Sequence, residues 1–251
     1  MKKILSNVIL VIAIGVFLFS GYKLYGIFSE YNEGSSEYEF LQEMVITETE
    51  PESLEEEAVF QVDFEKLKEI NSEVVGWIRF EEPAIISYPV VQGEDNSKYL
   101  KTTFEGKRNS SGAIFMDMQN RADFSDRNTF VYGHNMKNGS MFGRLRKYKS
   151  GEYFQEHPYF YIYTPDGKES TYQIFSVTIV NDASKSYEKT YSDDGEFLSY
   201  IDYIKNLSLY DTGVEVDADA KIVSLSTCTN VSEDDRLLLH AVKVNEKMVG
   251  E

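Results

Sequence analysis

This chain predicts a mainly β domain: about eight strands closing into a barrel, a few peripheral helices, and one transmembrane helix in front. Three observations carry that reading. Short stretches of alternating or continuous apolar residues, rich in Val, Ile, Tyr and Phe, recur between turn signals from residue 74 onward. The 18 Tyr and 16 Phe among 251 residues favour pleated, half-buried surfaces, and a single Cys excludes a core stapled by internal disulfides. The chain also opens Met-Lys-Lys and then runs without a charge from Ile4 to Tyr22.

That uncharged run is 19 residues long. As a helix it spans about 29 Å, close to the thickness of a bilayer's hydrocarbon. Lys2 and Lys3 hold the amino terminus in the cytoplasm. With no small-x-small site after it, the run reads as an uncleaved signal-anchor, so residues 1–28 are assigned to a cytoplasmic tip and membrane helix. Residues 29–65 hold twelve Glu and Asp63 with no Lys or Arg, supplying −13 of the net charge of −17. Self-repulsion predicts a solvated acidic stalk over 29–60, densest from Glu48 to Glu57. A tail binding a cationic partner is the alternative. The chain has no basic stripe, which argues against nucleic acid as a partner. Residues 61–251 are left as one globular domain of ordinary size.

Phe64, Leu67 and Ile70 share one face behind Asp63, a helix with its N-cap. Strands are expected at 74–80 and 85–91, with Pro89 pointing to an edge position for the second. A helical turn at 97–100 leads to strands at 112–117 and 129–134, then a helical stretch at 141–148. Pro165-Asp-Gly167 turns a hairpin between 159–164 and 171–180. Phe197, Ile201 and Ile204, with Tyr200 beside them, make a helix at 196–205 inserted between strands. A last hairpin joins 221–228 to 236–244, and the set suggests an antiparallel barrel.

Cys228 ends the alternating run from Lys221, at the tip of a strand. Most free cysteines are small buried hydrophobes. Here Ser226, Thr227, Thr229 and Asn230 make the surroundings polar, which favours a nucleophile facing a cleft. Arg236 begins the partner strand. A guanidinium there favours the thiolate and can hold an oxyanion; pairing with Asp234 or Asp235 is the alternative. Of three histidines, His134 ends a strand beside Gly133 and is the expected acid/base. His157, before Pro158, reads as a surface or capping residue. His240 shares a strand face with Arg236 but lies four residues away, roughly 13 Å, and reads as a satisfied core histidine. These residues show no paired-ligand spacing, and calcium, phosphate-loop, dinucleotide and Gly-x-Ser-x-Gly motifs are absent, so neither metal nor cofactor is expected.

Taken together, Tyr132-Gly-His-Asn-Met136 with Ser140-Met-Phe142, Leu225-Ser-Thr-Cys228 and Arg236 resemble a class B sortase, a Gram-positive cysteine transpeptidase. Trp77-Ile, Tyr88-Pro-Val-Val-Gln-Gly93, Asp95-Asn96 and Gly112-Ala-Ile-Phe-Met-Asp117 are similar to that family too, so the likeness runs from about 64 to 244. The helix at 196–205 resembles the one class B members insert before the cysteine strand. No Asp-Pro-aromatic lid is present, which separates the chain from pilin-polymerising class C relatives.

The resemblance implies an eight-stranded sortase barrel. In it Cys228 attacks the Thr carbonyl of a C-terminal sorting signal, His134 transfers protons, and Arg236 steadies substrate and oxyanion. Ser226, Thr227, Asn135 and Tyr187 are expected to shape the substrate groove. The implied partners are surface proteins bearing a sorting signal, of Asn-Pro-x-Thr or Pro-x-Thr-Gly type, an amine of the peptidoglycan precursor or crossbridge, and membrane lipid around the N-terminal helix. The implied location is the cell membrane, with the catalytic domain outside. A cysteine hydrolase using water, and an anchored module that only binds, are the rival functions.

Overall fold

The apolar run at the N-terminus does form a helix, and the helix does not stop where the membrane would. The structure, a computed structural model, describes residues 2–49, 59–82, 85–229 and 234–249. In it α1 is a single helix, Lys2–Val45, of 44 residues, about 66 Å long. Its first part is long and apolar enough to cross a membrane, and none of the apolar window is buried in the protein. The expectation of a solvated stalk from residue 29 meets a different arrangement over 29–45. There Tyr38, Leu41 and Val45 are buried against the domain, and so is the Glu37 side chain. Charge density masked an apolar stripe at residues 38, 41 and 45, the spacing of one helix face. Strand β1 (Ile46–Thr49) follows and pairs with β2 (Val59–Val62). Residues 50–58, most of the densest acidic stretch, lie outside the described residues.

The barrel is built from β3 (Val74–Phe80), β4 (Ile86–Val91), β5 (Ile114–Met116), β6 (Asn128–Tyr132), β7 (Tyr159–Tyr163), β8 (Lys168–Asn181), β9 (Ile222–Cys228) and β10 (Asp235–Met248). It closes in the order β10-β8-β7-β3-β4-β5-β6-β9. It is not wholly antiparallel: β4 with β5, and β6 with β9, run parallel. Alternation along a strand reports which face is buried and carries no sign of a neighbour's direction, so the sequence pattern missed this. Parallel neighbours need long crossovers, which residues 92–113 and 133–221 supply. Pro89 also sits in a strand with two neighbours, not at an edge. Pairing with β5 begins only at Val90, so no ladder bond on that side is asked of the proline.

Inside, Phe80 stacks on Phe160 at 4.8 Å and Phe160 on Tyr172 at 5.3 Å, beside fully buried Trp77. Helix α2 (Phe64–Ile70) starts at Asp63, whose carboxylate accepts the Lys66 N–H at 3.1 Å. The expected helical stretch at 141–148 is a 3-10 segment, Gly143–Lys149, followed by the unforeseen short α3 (Gly151–Glu156). His157 is the C-cap of α3, in keeping with its expected capping role. Helix α4 (Asp194–Asn206) is capped by Asp193 and buries Phe197, Tyr200, Ile201 and Ile204 against Phe175, Ile222 and Val242, forming a second, smaller core.

His240 is fully buried beneath that second core, and its Nδ1 lies 2.7 Å from Ser224 Oγ. Ser224 spends its one proton on Asn128 Oδ1 at 2.8 Å, so the His240 Nδ1–H must be the donor. Nε2 has no partner among the described residues, so only one of the two ring nitrogens is satisfied. Burial pulls the imidazole down from 6.5 to about 3. The unfolded chain therefore takes up a proton that the folded chain refuses. Stability present above about pH 6.5 is lost as pH falls toward 3, at up to about 1.4 kcal/mol per pH unit. His240→Leu is expected to flatten this acid slope in thermal melts between about pH 6.5 and 4.5. Equal slopes for variant and wild type would show that another group governs the loss.

Candidate active site

Strands β6 and β9 run parallel with Tyr132 opposite Ser226. Cys228 is the last residue of β9 and His134 lies two residues past the end of β6, so parallel pairing brings both to one mouth of the barrel. On the far side of β9, the register of β10 places Arg236 opposite Cys228. His134, far from the other two in sequence, is thus gathered with the Cys228–Arg236 hairpin by the pairing of β6 with β9.

The turn that presents His134 needs Gly133. A Cβ there would lie 2.4 Å from Ile114 Cδ1 and 2.7 Å from Phe142 Cδ2. Beyond it the loop folds back, with the Phe142 N–H donating to the His134 carbonyl at 3.0 Å and Asn135 bridging to Met141. The His134 ring places Nε2 2.7 Å from the Leu100 carbonyl oxygen. A carbonyl can only accept, so Nε2 carries a proton. Arg236 donates to the Asp182 carboxylate at 3.0 Å and to the Asp235 carbonyl at 3.2 Å. Asp182 lies just past the end of β8, an acidic partner beyond the Asp234 and Asp235 that the sequence offers as the alternative. Residues 230–233, in the loop between β9 and β10, lie outside the described residues.

Cys228, His134 and Arg236 all line one cleft of about 440 Å3. Ser226, Thr227 and Tyr187 contribute to its walls. The Tyr187 hydroxyl lies 2.8 Å from Ser226 Oγ, and its ring stacks on Phe130 at 5.4 Å. Burial, offset in part by the Ser226 bond, pushes the phenol up to about 12, so it is a neutral hydrogen-bonding group at physiological pH. Thr227 is buried, and its hydroxyl has no partner among the described residues. Asn135 does not line the cleft; its Nδ2 donates to the Cys228 carbonyl at 2.7 Å and ties the histidine loop to the cysteine strand.

One feature of the cleft wall escaped the sequence reading. Asp117, fully buried, accepts from Lys189 Nζ at 2.6 Å, Tyr132 Oη at 2.7 Å, Asn96 Nδ2 at 3.1 Å and the Gln119 N–H at 2.9 Å. Burial alone would raise this carboxyl; the ammonium, the amide N–H and the phenol outweigh it and hold it below the usual range. Lys189→Met strands a buried carboxylate and is expected to cost about 3 kcal/mol in a urea midpoint. Adding Asp117→Asn is expected to return part of that loss. Seventy-two residues separate the partners, and no local pattern announces such a pair. Asn96 and Asp117 did stand in the motif segments, which was the available signal.

The matches to known proteins agree with this geometry. A family model described as the sortase domain matches residues 81–244. Sortase B of Listeria monocytogenes is 30% identical over 90% of this chain and 91% of its own length. Sortase B of Staphylococcus aureus is 30% identical over 97% and 98%. Among solved structures, sortase B from Bacillus anthracis superposes with a TM-score of 0.74 at 35% identity, covering 87% of this chain and all of that one. A Staphylococcus aureus sortase B–substrate complex superposes at 0.67 and 29% identity, covering 72% of this chain and 84% of that one. A closed eight-stranded barrel with a thiol at its mouth is thus that of a cysteine transpeptidase, and the chain belongs to the sortase family. Within the family it falls in class B, among the enzymes of cell-wall anchoring.

Proposed function

We propose that this membrane-anchored transpeptidase cleaves a C-terminal sorting signal after Thr and joins the surface protein to an amine of the peptidoglycan precursor or crossbridge. The observation that carries the reading is the register that brings Cys228, His134 and Arg236 to one cleft. The Cys228 thiolate attacks the Thr carbonyl, and Arg236 stabilises the oxyanion of the tetrahedral intermediate. As the C–N bond breaks, imidazolium His134 gives its proton to the departing amine, leaving a thioacyl enzyme. The same imidazole then takes a proton from the incoming amine, which attacks the thioester and releases Cys228. Ser226, Thr227 and Tyr187 contact the peptide in the cleft, while Asn135 holds its floor. The complex of the Staphylococcus aureus relative with a substrate supports a peptide in this place.

The N-terminal segment of α1 sits in membrane lipid with Lys2 and Lys3 in the cytoplasm, which puts the barrel on the outer face. The test is mass spectrometry of the full chain in detergent with a panel of sorting-signal peptides, with and without triglycine. An adduct on Cys228 and a ligated product that needs the amine are expected. Cleavage with no ligation would make the enzyme a hydrolase. No adduct with any peptide of either signal type would leave a binding module as the better reading.

A further inference from the structure

The Leu100 carbonyl, which holds His134 Nε2 at 2.7 Å, ends the 3-10 turn Lys98–Leu100, where the Leu100 N–H bonds to the Ser97 carbonyl at 3.2 Å and Tyr99 is buried. The Leu100 side chain itself is 41% exposed. On its other side the carbonyl is held by the loop it begins. Residues 101–112 leave and return beside it, closed by the Asn109 N–H on the Lys101 carbonyl at 3.0 Å and the Ala113 N–H on the Tyr99 carbonyl at 3.0 Å.

That loop is gripped by α1. Glu37, its side chain 3% exposed, accepts from Thr103 Oγ1 and from the Glu105 N–H, each at 3.0 Å. The Tyr38 hydroxyl donates to the Gly112 carbonyl at 2.7 Å and accepts from the Phe104 N–H at 3.3 Å. Glu30 takes the Asn109 side-chain amide at 2.8 Å on its carbonyl and the Ser110 N–H at 2.7 Å on its carboxylate. Gly34 permits the approach, since a Cβ there would meet Ser111 Oγ at 2.8 Å. A mid-helix glycine and a buried carboxylate both cost stability, so their place here calls for a return beyond holding a linker.

We propose that the membrane-proximal half of α1 is a positioning element for the reaction, with Glu37 and Tyr38 fixing the 101–112 loop so that the Leu100 carbonyl orients His134. The helix that emerges from the lipid is thereby part of the support of the imidazole, and anchor and active site are mechanically one piece. The inference rests on His134 acting as the acid/base of the proposed transpeptidation.

The test uses the full chain in micelles with Glu37→Gln and Tyr38→Phe, and Glu39→Gln, an exposed neighbour on the same helix, as control. Assays run well below each variant's melting temperature, so that all are folded. Both variants are expected to lower kcat about tenfold with KM within about twofold, as misorientation of a catalytic group does. With only three histidines in the chain, the nitrogen resonances of His134 can be assigned and read directly. Both variants should move them while His157 and His240 stay in place, and the control should change nothing. Unchanged kcat and unmoved His134 resonances in both variants, with lowered melting temperatures, would reduce the helix to a structural brace and overturn the proposal. If wild type turns over no peptide, the functional reading is what fails, and the His134 resonances alone decide the coupling.

Discussion

Cys228→Ala is expected to form no thioacyl adduct and to turn over no peptide, while melting within about 2 °C of wild type. The stability half of this expectation comes from place. Cys228 is only partly buried at the last position of β9, and its backbone carbonyl, not its sulfur, receives the Asn135 bond. The chemical half comes from uniqueness, since no second thiol exists to take over or to confuse an adduct mass. His134→Ala should reduce turnover by about 10²–10⁴, the range of a lost general acid/base. Arg236→Ala should reduce it by about 10²–10³, the range of a lost oxyanion donor. The lone thiol also supplies an internal control. Iodoacetamide labelling of Cys228 in the last two variants would show that the cleft is intact and open. Turnover near wild type in any of the three would remove the role assigned to that residue.

What could be read in advance follows from the range of the interaction that fixes each feature. Strand β3 was legible to the residue because alternation and a flanking turn are local, and so were the Asp63 cap of α2 and the apolar face of α4. That Cys228, His134 and Arg236 would face one cleft was legible because these residue types sit in compact motifs at strand ends, where a barrel exposes side chains. Strand direction was not legible: β6 and β9 are neighbours across nearly ninety residues, and nothing along either strand records that. The Asp117–Lys189 pair was hidden for the same reason. The Leu100 contact was hidden for another, because a backbone carbonyl is the same in every residue. The docked part of α1 is the instructive miss. Its apolar residues at 38, 41 and 45 are present in the sequence, but the acidity of the stretch predicts solvation throughout. Net charge speaks for the exposed face of a helix and leaves the other face undecided.

That miss has a measurable consequence. A fragment beginning at residue 61, where composition alone places the domain boundary, is expected to melt on the order of 10 °C below one beginning at residue 29. The shorter fragment loses four buried apolar side chains. Tyr38, Leu41 and Val45 go with α1, and Phe60 goes with β2. Phe60 packs on Tyr163 at 4.8 Å and lies under the Arg79 guanidinium at 4.3 Å. Tyr38 meets the edge of the Tyr88 ring at 5.2 Å. Each such side chain contributes about 1.5–3 kcal/mol on burial, less what it costs to order the segment carrying it. A net loss of a few kcal/mol shifts the midpoint of a domain this size by roughly 2–4 °C per kcal/mol. The shorter fragment should also bind a hydrophobic dye where Tyr88 and Tyr163 are uncovered, and the longer should not. Equal melting temperatures would mean that α1 rests on the domain without stabilising it. The opposite outcome would place the folding unit's true start inside the acidic segment, with the 29–45 helix an integral part of the catalytic domain.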